Sequence, residues 1–399
     1  MDFSYSPEEE AFRQEVSDWL AENMKELPGW WDSQDVPGPE PDSDEYHHFR
    51  IWWHRKLHEA GFVGIFWPKE YGCRGATLME QAVFDEEMAR HRAPGPANMM
   101  GTTWVGPSIM AHGTEEHARR FLPKILSAEE IWCTLYSEPQ AGSDMASAQT
   151  RAVEDGDDFV VNGQKVWTSG GHHADWGVLL ARTDPDAPKH RGLSYFLVDM
   201  HSPGVTVRPL KQITGFAEFN ETFLDNVRIP KHQLLGEKNM GWYVAAGALE
   251  NERLAGAGDF IRHQDSIRAL IEMAKTRKAG GRPLSEHPLI RQKLAQLYVD
   301  ASMLRSLALR SLTHRLKHGK AGPEGSFCYV FGNEFGQRLQ ELAMLIQGPY
   351  HQLVKGSRYA IDQGQWQHDF LQSRASTIAG GTSEIQRNVI AQRVLGLPR

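Results

Sequence analysis

The sequence predicts an α+β fold in three consecutive blocks: helical, then sheet, then helical again. Three observations predict it. Apolar residues recur at helical spacing through about the first 130 positions. Short β-type runs bounded by Pro, Gly and Asp fill residues 159–229. From Gly241 the helical period returns and holds almost to the end. The expected domains are an all-helical one over 1–131, an antiparallel β domain over 132–236 and a helical bundle over 237–399.

In the first block, Ser6-Pro7-Glu8-Glu9 combines an N-cap hydroxyl, a first-turn proline and acids that suit a helix N-terminus. Phe12, Val16, Trp19 and Leu20 follow on one face. A Pro/Asp-rich loop spans 36–44, and a second helix with Phe49, Trp52, Trp53 and Leu57 spans Tyr46–Ala60. Residues 68–77 form a loop, and helical patterns continue through Leu78–Arg90, Ser108–His112 and Glu115–Leu126. In the second block, 159–167 gives two extended runs around Asn162-Gly163, a pair that signals a hairpin turn. Further strands are expected at Trp176–Arg182, Leu193–Val198, Gly204–Leu210 and Glu221–Ile229. The third block offers helices at Trp242–Ala257, Ile261–Lys278, Pro288–Lys317 and Phe327–Ile346. Gly280-Gly281-Arg282-Pro283 and Gly322-Pro323-Glu324-Gly325 interrupt them.

Bulk properties narrow the function. The chain has 399 residues, 40% of them hydrophobic, enough to bury large cores. A net charge of −8 with no Lys/Arg-rich block argues against a nucleic-acid partner. No apolar run approaches the ~20 residues of a membrane span. The acidic N-terminus lacks the pattern of a signal peptide. Three scattered cysteines without metal-like spacing suit a reducing, cytoplasmic setting. His54 and His58 have the i,i+4 spacing of a metal pair, but no third ligand accompanies them, and no metal is expected.

Three stretches concentrate chemistry. In the tail, the Gly380-Gly381 turn feeds a helix opened by Thr382, Ser383 and Glu384, and such a turn presents unpaired N–H groups to an anion. At the helix-to-sheet junction, the 134–144 segment Thr-Leu-Tyr-Ser-Glu-Pro-Gln-Ala-Gly-Ser-Asp groups turn formers and hydroxyls around Tyr136, as a loop moulded to a polar ligand would. Trp167, in Lys165-Val-Trp-Thr-Ser-Gly170, offers either a core side chain or a flat platform for a ring, whose edge Thr168 or Ser169 could hydrogen-bond.

Together with Glu252-Arg253-Leu254 and Gly381-Thr-Ser-Glu-Ile-Gln-Arg387, these motifs resemble the acyl-CoA dehydrogenase family in order and spacing, over nearly the whole chain. The resemblance implies an N-terminal helical domain, a middle β domain and a C-terminal four-helix bundle, with FAD between the last two, usually in a homotetramer. It implies that the 134–143 loop wraps the flavin and its chain, so Thr134, Tyr136, Ser137, Gly142 and Ser143 contact cofactor, Ser143 lying near FAD or the acyl-CoA. Trp167 would pack beside the isoalloxazine, with Thr168 and Ser169 at its edge. Thr382 and Glu384 would hold the pyrophosphate region, and Arg277 would reach a neighbouring subunit's FAD. Ala279, Gly280 and Pro288 depart from the family pattern around Arg277, and a second Gly-Gly loop is reduced to Gln347-Gly348-Pro349.

Dehydrogenating an acyl thioester requires a base for the α-proton and an acceptor for the β-hydride. Many members carry a glutamate directly before the tail Gly-Thr; here that position is Gly380. Isovaleryl-CoA and long-chain members carry it directly before the helix-motif arginine, which here selects Glu252, with Arg253 orienting the site and Glu250 as the competing carboxylate at the substrate. The expected reaction is FAD-dependent α,β-dehydrogenation of an acyl-CoA to a trans-2-enoyl-CoA, with electrons passed to an electron-transfer flavoprotein. Gly380 points to branched, bulky or ring-bearing acyl groups. The alternatives are a flavin oxidase or desulfinase-like relative, and a non-catalytic subunit assembled with a paralogue.

Overall fold

A computed structural model describes residues 5–31, 36, 38–252, 258–319, 322–323 and 325–398, with the backbone alone at 249–252. The loops expected over 36–44 and 322–325 lie partly outside the described residues. The chain forms two compact units, one from 1–38, 77–93 and 253–399, the other from 39–76 and 94–252. Helices α1 (Pro7–Asn23) and α3 (Leu78–Arg90) belong to the first unit. Helices α2 (Asp44–Glu59), α4 (Gly106–His112) and α5 (Glu115–Ser127) belong to the second. The caps explain the starts. Ser6 and Glu9 close a capping box on α1, and Thr77 and Glu80 close one on α3, each satisfying backbone donors that a helix start leaves open.

The second unit carries a seven-stranded sheet: β1 (Trp132–Leu135), β2 (Arg151–Asp155), β3 (Asp158–Ser169), β4 (Trp176–Arg182), β5 (Leu193–Asp199), β6 (Val205–Leu210) and β7 (Phe219–Pro230). Its order is β1-β4-β2-β3-β7-β6, with β5 beside β4. Most pairings are antiparallel as expected, but β1 joins β4 in parallel, Trp132 opposite Trp176 and Leu135 opposite Leu179. Cys133, Leu135, Phe159, Val161, Leu179, Phe196, Leu224 and Val227 fill one core beneath it.

The hairpin expected at Asn162-Gly163 is not there. β3 runs straight through both residues, and the turn lies earlier, at Gly156-Asp157, where Asp155 pairs with Asp158 and Gly156 has φ +61°. The Asn-Gly pair instead sits at a register shift against β7. The Asn162 side chain accepts from the Asn226 backbone at 2.9 Å. A Cβ on Gly163 would come within 2.4 Å of Thr150 Oγ1, so glycine is needed for close approach rather than for turning.

After the sheet, α6 (Gly241–Glu252) packs on β5 within the same unit. Gly241 lets it start there, because a Cβ would meet the Ser194 backbone at 2.4 Å. In the first unit, α7 (Asp259–Thr276), α8 (Pro288–His318), α9 (Gly325–Gln347) and α10 (Gln365–Ser376) share a core of Leu270, Leu294, Leu297, Phe335, Leu339 and Trp366. The tail helix α11 (Ser383–Val389) rests on α9.

Candidate functional site

On the sheet unit, the decisive residue is Trp167. In a regular strand it would share a face with Lys165, two residues earlier. A register shift between Lys165 and Thr168 breaks that rule, and Trp167 adopts φ +63°. Lys165 is therefore fully buried, whereas Trp167 is 58% exposed, with an edge contact to Phe219 at 6.1 Å. A bulky residue at positive φ costs about 1–3 kcal/mol and persists where the surroundings impose it, which is common at ligand-binding positions. The ring lies at the surface and is not a core side chain.

Around it, Ser169 is half-buried, opposite Phe219 on β7. The Thr168 side chain lies inside the sheet, its hydroxyl accepting from Thr222 at 3.2 Å and its carbonyl accepting from Asn220 at 2.9 Å. Thr134 is half-buried; strand alternation sets it on the face opposite Cys133 and Leu135. Tyr136 is buried, parallel to Trp104 with ring centroids 6.4 Å apart and hydrogen-bonded to the Tyr195 hydroxyl. Ser137 is half-buried, and its carbonyl accepts from Val166 N at 2.9 Å, so the exit of β1 lies against the strand that carries Trp167. Gly142 and Ser143 are exposed. A Cβ on Gly142 would meet no protein atom within 4 Å, so the fold itself does not demand glycine there, and the bare backbone is open to a ligand.

The pair missed at the level of sequence is Glu138 and Lys165, each inside a motif quoted for other residues. Their charged groups meet at 2.8 Å with side chains 2% and 0% exposed. Burial pushes the Lys165 ammonium down to about 8, partly offset by Glu138. Burial alone would raise the Glu138 carboxyl, but Lys165 and the Gln149 and Thr150 donors hold it below its ordinary range.

His172 and His173 follow the bulge. His172 Nδ1 lies 3.0 Å from Asn220 Oδ1, and His173 stacks on His47 with centroids 4.1 Å apart. His54 does not offer a metal-ligand pair with His58. Its Nε2–H donates to Leu126 O at 2.9 Å, which leaves Nδ1 to accept from Asn98 N at 3.5 Å, so both ring nitrogens are engaged. Among the described residues, no group of three or more His, Cys, Asp or Glu is placed to hold a metal, and no helix is long and apolar enough to cross a membrane.

On the bundle unit, Gly380 and Gly381 turn the chain with φ +63° and +96°, and Thr382 caps α11 by accepting from Ile385 N at 3.2 Å. Glu384 is exposed, its carboxyl held below the ordinary range by its own backbone N–H and by the Thr382 hydroxyl. The buried Ser383 hydroxyl has no hydrogen-bond partner among the described residues. Such an orphaned polar atom marks a place where a ligand can supply the missing partner. Arg277 ends α7, donates to Gln347 O at 3.3 Å and lies 4.6 Å from the Tyr350 ring centre, beside the Gly348 turn. The backbone of α6 carries Glu250 and Glu252 on the sheet unit, but their side chains, and all of Arg253, lie outside the described residues.

On the sheet unit, a flat exposed ring beside an open glycine loop suits a planar ligand; on the bundle unit, the tail turn with its orphaned Ser383 hydroxyl suits a polar or anionic group. Family models match along the chain. The acyl-CoA dehydrogenase N-terminal, middle and C-terminal domain models match residues 6–129, 133–227 and 239–395. The acyl-CoA dehydrogenase IpdE1 of Mycolicibacterium smegmatis is 38% identical over 403 residues, covering 98% of both chains. Among solved structures, the Tcur3481-Tcur3483 steroid ACAD matches with TM-score 0.84 at 31% identity, covering 100% of both chains. The ChsE4-ChsE5 complex from Mycobacterium tuberculosis matches with TM-score 0.85 at 32% identity, again covering 100% of both. With three domain models in sequence order and a relative of this identity along its length, the chain belongs to the acyl-CoA dehydrogenase family.

Proposed function

We propose that this family member dehydrogenates a bulky, ring-bearing acyl-CoA to its trans-2-enoyl-CoA, with FAD as cofactor and Glu252 as the base. The observation that carries the cofactor reading is Trp167, held out of the sheet on a left-handed bulge beside Ser137 and Ser169. Trp167 would lie against the cofactor ring and Ser169 would hydrogen-bond its edge. Gly142 and Ser143 would follow its chain. Thr382 and Glu384 would lie at the pyrophosphate, with Ser383 supplying the unused hydroxyl. Arg277 is assigned to the cofactor of a neighbouring subunit. Bound FAD supplies the hydride acceptor.

The chain's own part is proton transfer. The tail offers no carboxylate at Gly380, so the α-proton goes to Glu252 on α6, with Arg253 orienting the site. An acyl-CoA is only weakly acidic at that carbon, so the base must be desolvated enough to work near neutral pH. Gly380 leaves its place in the tail without a side chain, and the similarity to the Tcur3481-Tcur3483 steroid ACAD supports a polycyclic acyl group here. Electrons then pass to an electron-transfer flavoprotein rather than to O₂; flavoprotein reduction without peroxide formation is the expected result.

The similarity to the ChsE4-ChsE5 complex, which pairs two different chains, favours a second reading, assembly with a paralogue rather than as a homotetramer. Glu252→Gln tests the base. Exchange of the substrate α-proton with solvent should fall by about 10²–10⁴-fold, the usual contribution of a general base, while Glu250→Gln retains it. Near-normal exchange in Glu252→Gln overturns the assignment.

A further inference from the structure

β1 and β2 share one position in the sheet, between β4 and β3. β1 pairs with β4 up to Leu179, and β2 takes over at Arg182. Between them the chain leaves the sheet as the 136–150 excursion, which contains Ser137, Gly142 and Ser143. An interrupted strand leaves carbonyls without ladder partners. Lys165 fills that gap from below. Its ammonium donates to Tyr136 O at 3.0 Å, to Leu180 O at 2.7 Å and to Glu138 Oε1 at 2.8 Å, using all three protons. The Glu138 carboxylate accepts from the other end of the excursion, Gln149 N at 2.7 Å and Thr150 N at 2.9 Å, and from Gln140 Nε2 at 2.7 Å. One ion pair thus ties both ends of the excursion to the strand that, two residues later, breaks register to expose Trp167.

We infer that Lys165 and Glu138 are positioning residues for the cofactor face, fixing Ser137, the 142–143 backbone and the Trp167 bulge in one geometry before the cofactor arrives. This rests on the flavin reading of that face. Neither side chain is exposed enough to touch a ligand, so the pair acts through the segments it joins. Removing one charge leaves the other buried and unpaired, and the excursion and the bulge lose their common anchor. A face assembled only on binding holds its ligand less tightly than one already formed.

The test uses the full-length chain with FAD. Glu138→Gln removes the charge at constant shape, and Lys165→Arg keeps the charge but changes where its donors lie, which guards against a variant that does not fold. The flavin-free chains are first shown to be folded by their urea transitions. The expected result for either variant is an FAD Kd raised at least about tenfold, a flavin absorption band changed in shape, and acyl-CoA reduction of the bound flavin slowed on the order of a hundredfold, the effect of a small misplacement. A folded Glu138→Gln or Lys165→Arg chain with native Kd and native spectrum overturns the proposal. Trp167→Phe separates the two levels. If Trp167→Phe alters the flavin spectrum while the pair variants stay native, the pair fails and the flavin reading stands. If Trp167→Phe leaves the spectrum unchanged, the flavin reading fails and this inference with it.

Discussion

Replacing Trp167 by glycine should disturb the flavin-free protein far less than replacing a core tryptophan. About two-fifths of the ring is covered, since it is 58% exposed. For a side chain of ~200 Å² that is about 80 Å², or about 2 kcal/mol of lost burial. The glycine adds about 1 kcal/mol of unfolded-chain entropy. Against both stands relief of the φ +63° conformation, about 1–2 kcal/mol. The net loss is about 1–2 kcal/mol. Trp53, fully buried and donating to Pro94 O at 2.6 Å, should lose about 3–5 kcal/mol on mutation to alanine. Urea unfolding of the flavin-free chains reads both values. In the same Trp167→Gly chain, FAD affinity should fall at least about tenfold. A Trp167→Gly chain destabilised as much as Trp53→Ala, or one that binds FAD normally, would refute the assignment of this ring to the ligand.

His54 should make the protein acid-sensitive. Burial lowers its pKa to about 4 against an ordinary 6.5, so between those values the unfolded chain holds the extra proton. Stability therefore rises with pH through that window and falls on acidification, by up to about 3 kcal/mol at its lower end. His54→Gln should flatten the pH dependence of the urea midpoint between pH 6.5 and 4, and an unchanged slope would exclude His54 as its source. Thr382→Ala removes the acceptor for Ile385 N and should cost about 1 kcal/mol in the tail helix. FAD retention on gel filtration should fall with it, and full retention would detach the tail turn from the cofactor.

Elements were legible where local chemistry sets them. The Ser6 cap and the apolar spacing of Leu78–Arg90 are written in short stretches, and the structure follows them. The hairpin was misplaced because Asn162-Gly163 is a turn pair by composition, while Gly163 answers to Thr150, which approaches from β2's entry. The parallel pairing of β1 with β4 leaves no trace in either strand's alternation. At the candidate site, the motifs named Trp167 and Ser169, but strand alternation put Trp167 on the same face as Lys165. Only the register shift separates a buried ammonium from an exposed ring. Glu138 and Lys165 were hidden for a related reason: charged residues in a strand or turn read as solvent-facing until the interrupted strand beside them shows what they satisfy.

The proposed chemistry is tested most directly by anaerobic titration of the purified, FAD-loaded protein with a panel of acyl-CoAs, following the visible flavin band. Stoichiometric bleaching by polycyclic or branched acyl-CoAs, with short straight-chain acyl-CoAs far less effective, is the predicted result. A chain that holds no flavin, or whose flavin no acyl-CoA bleaches, would contradict it.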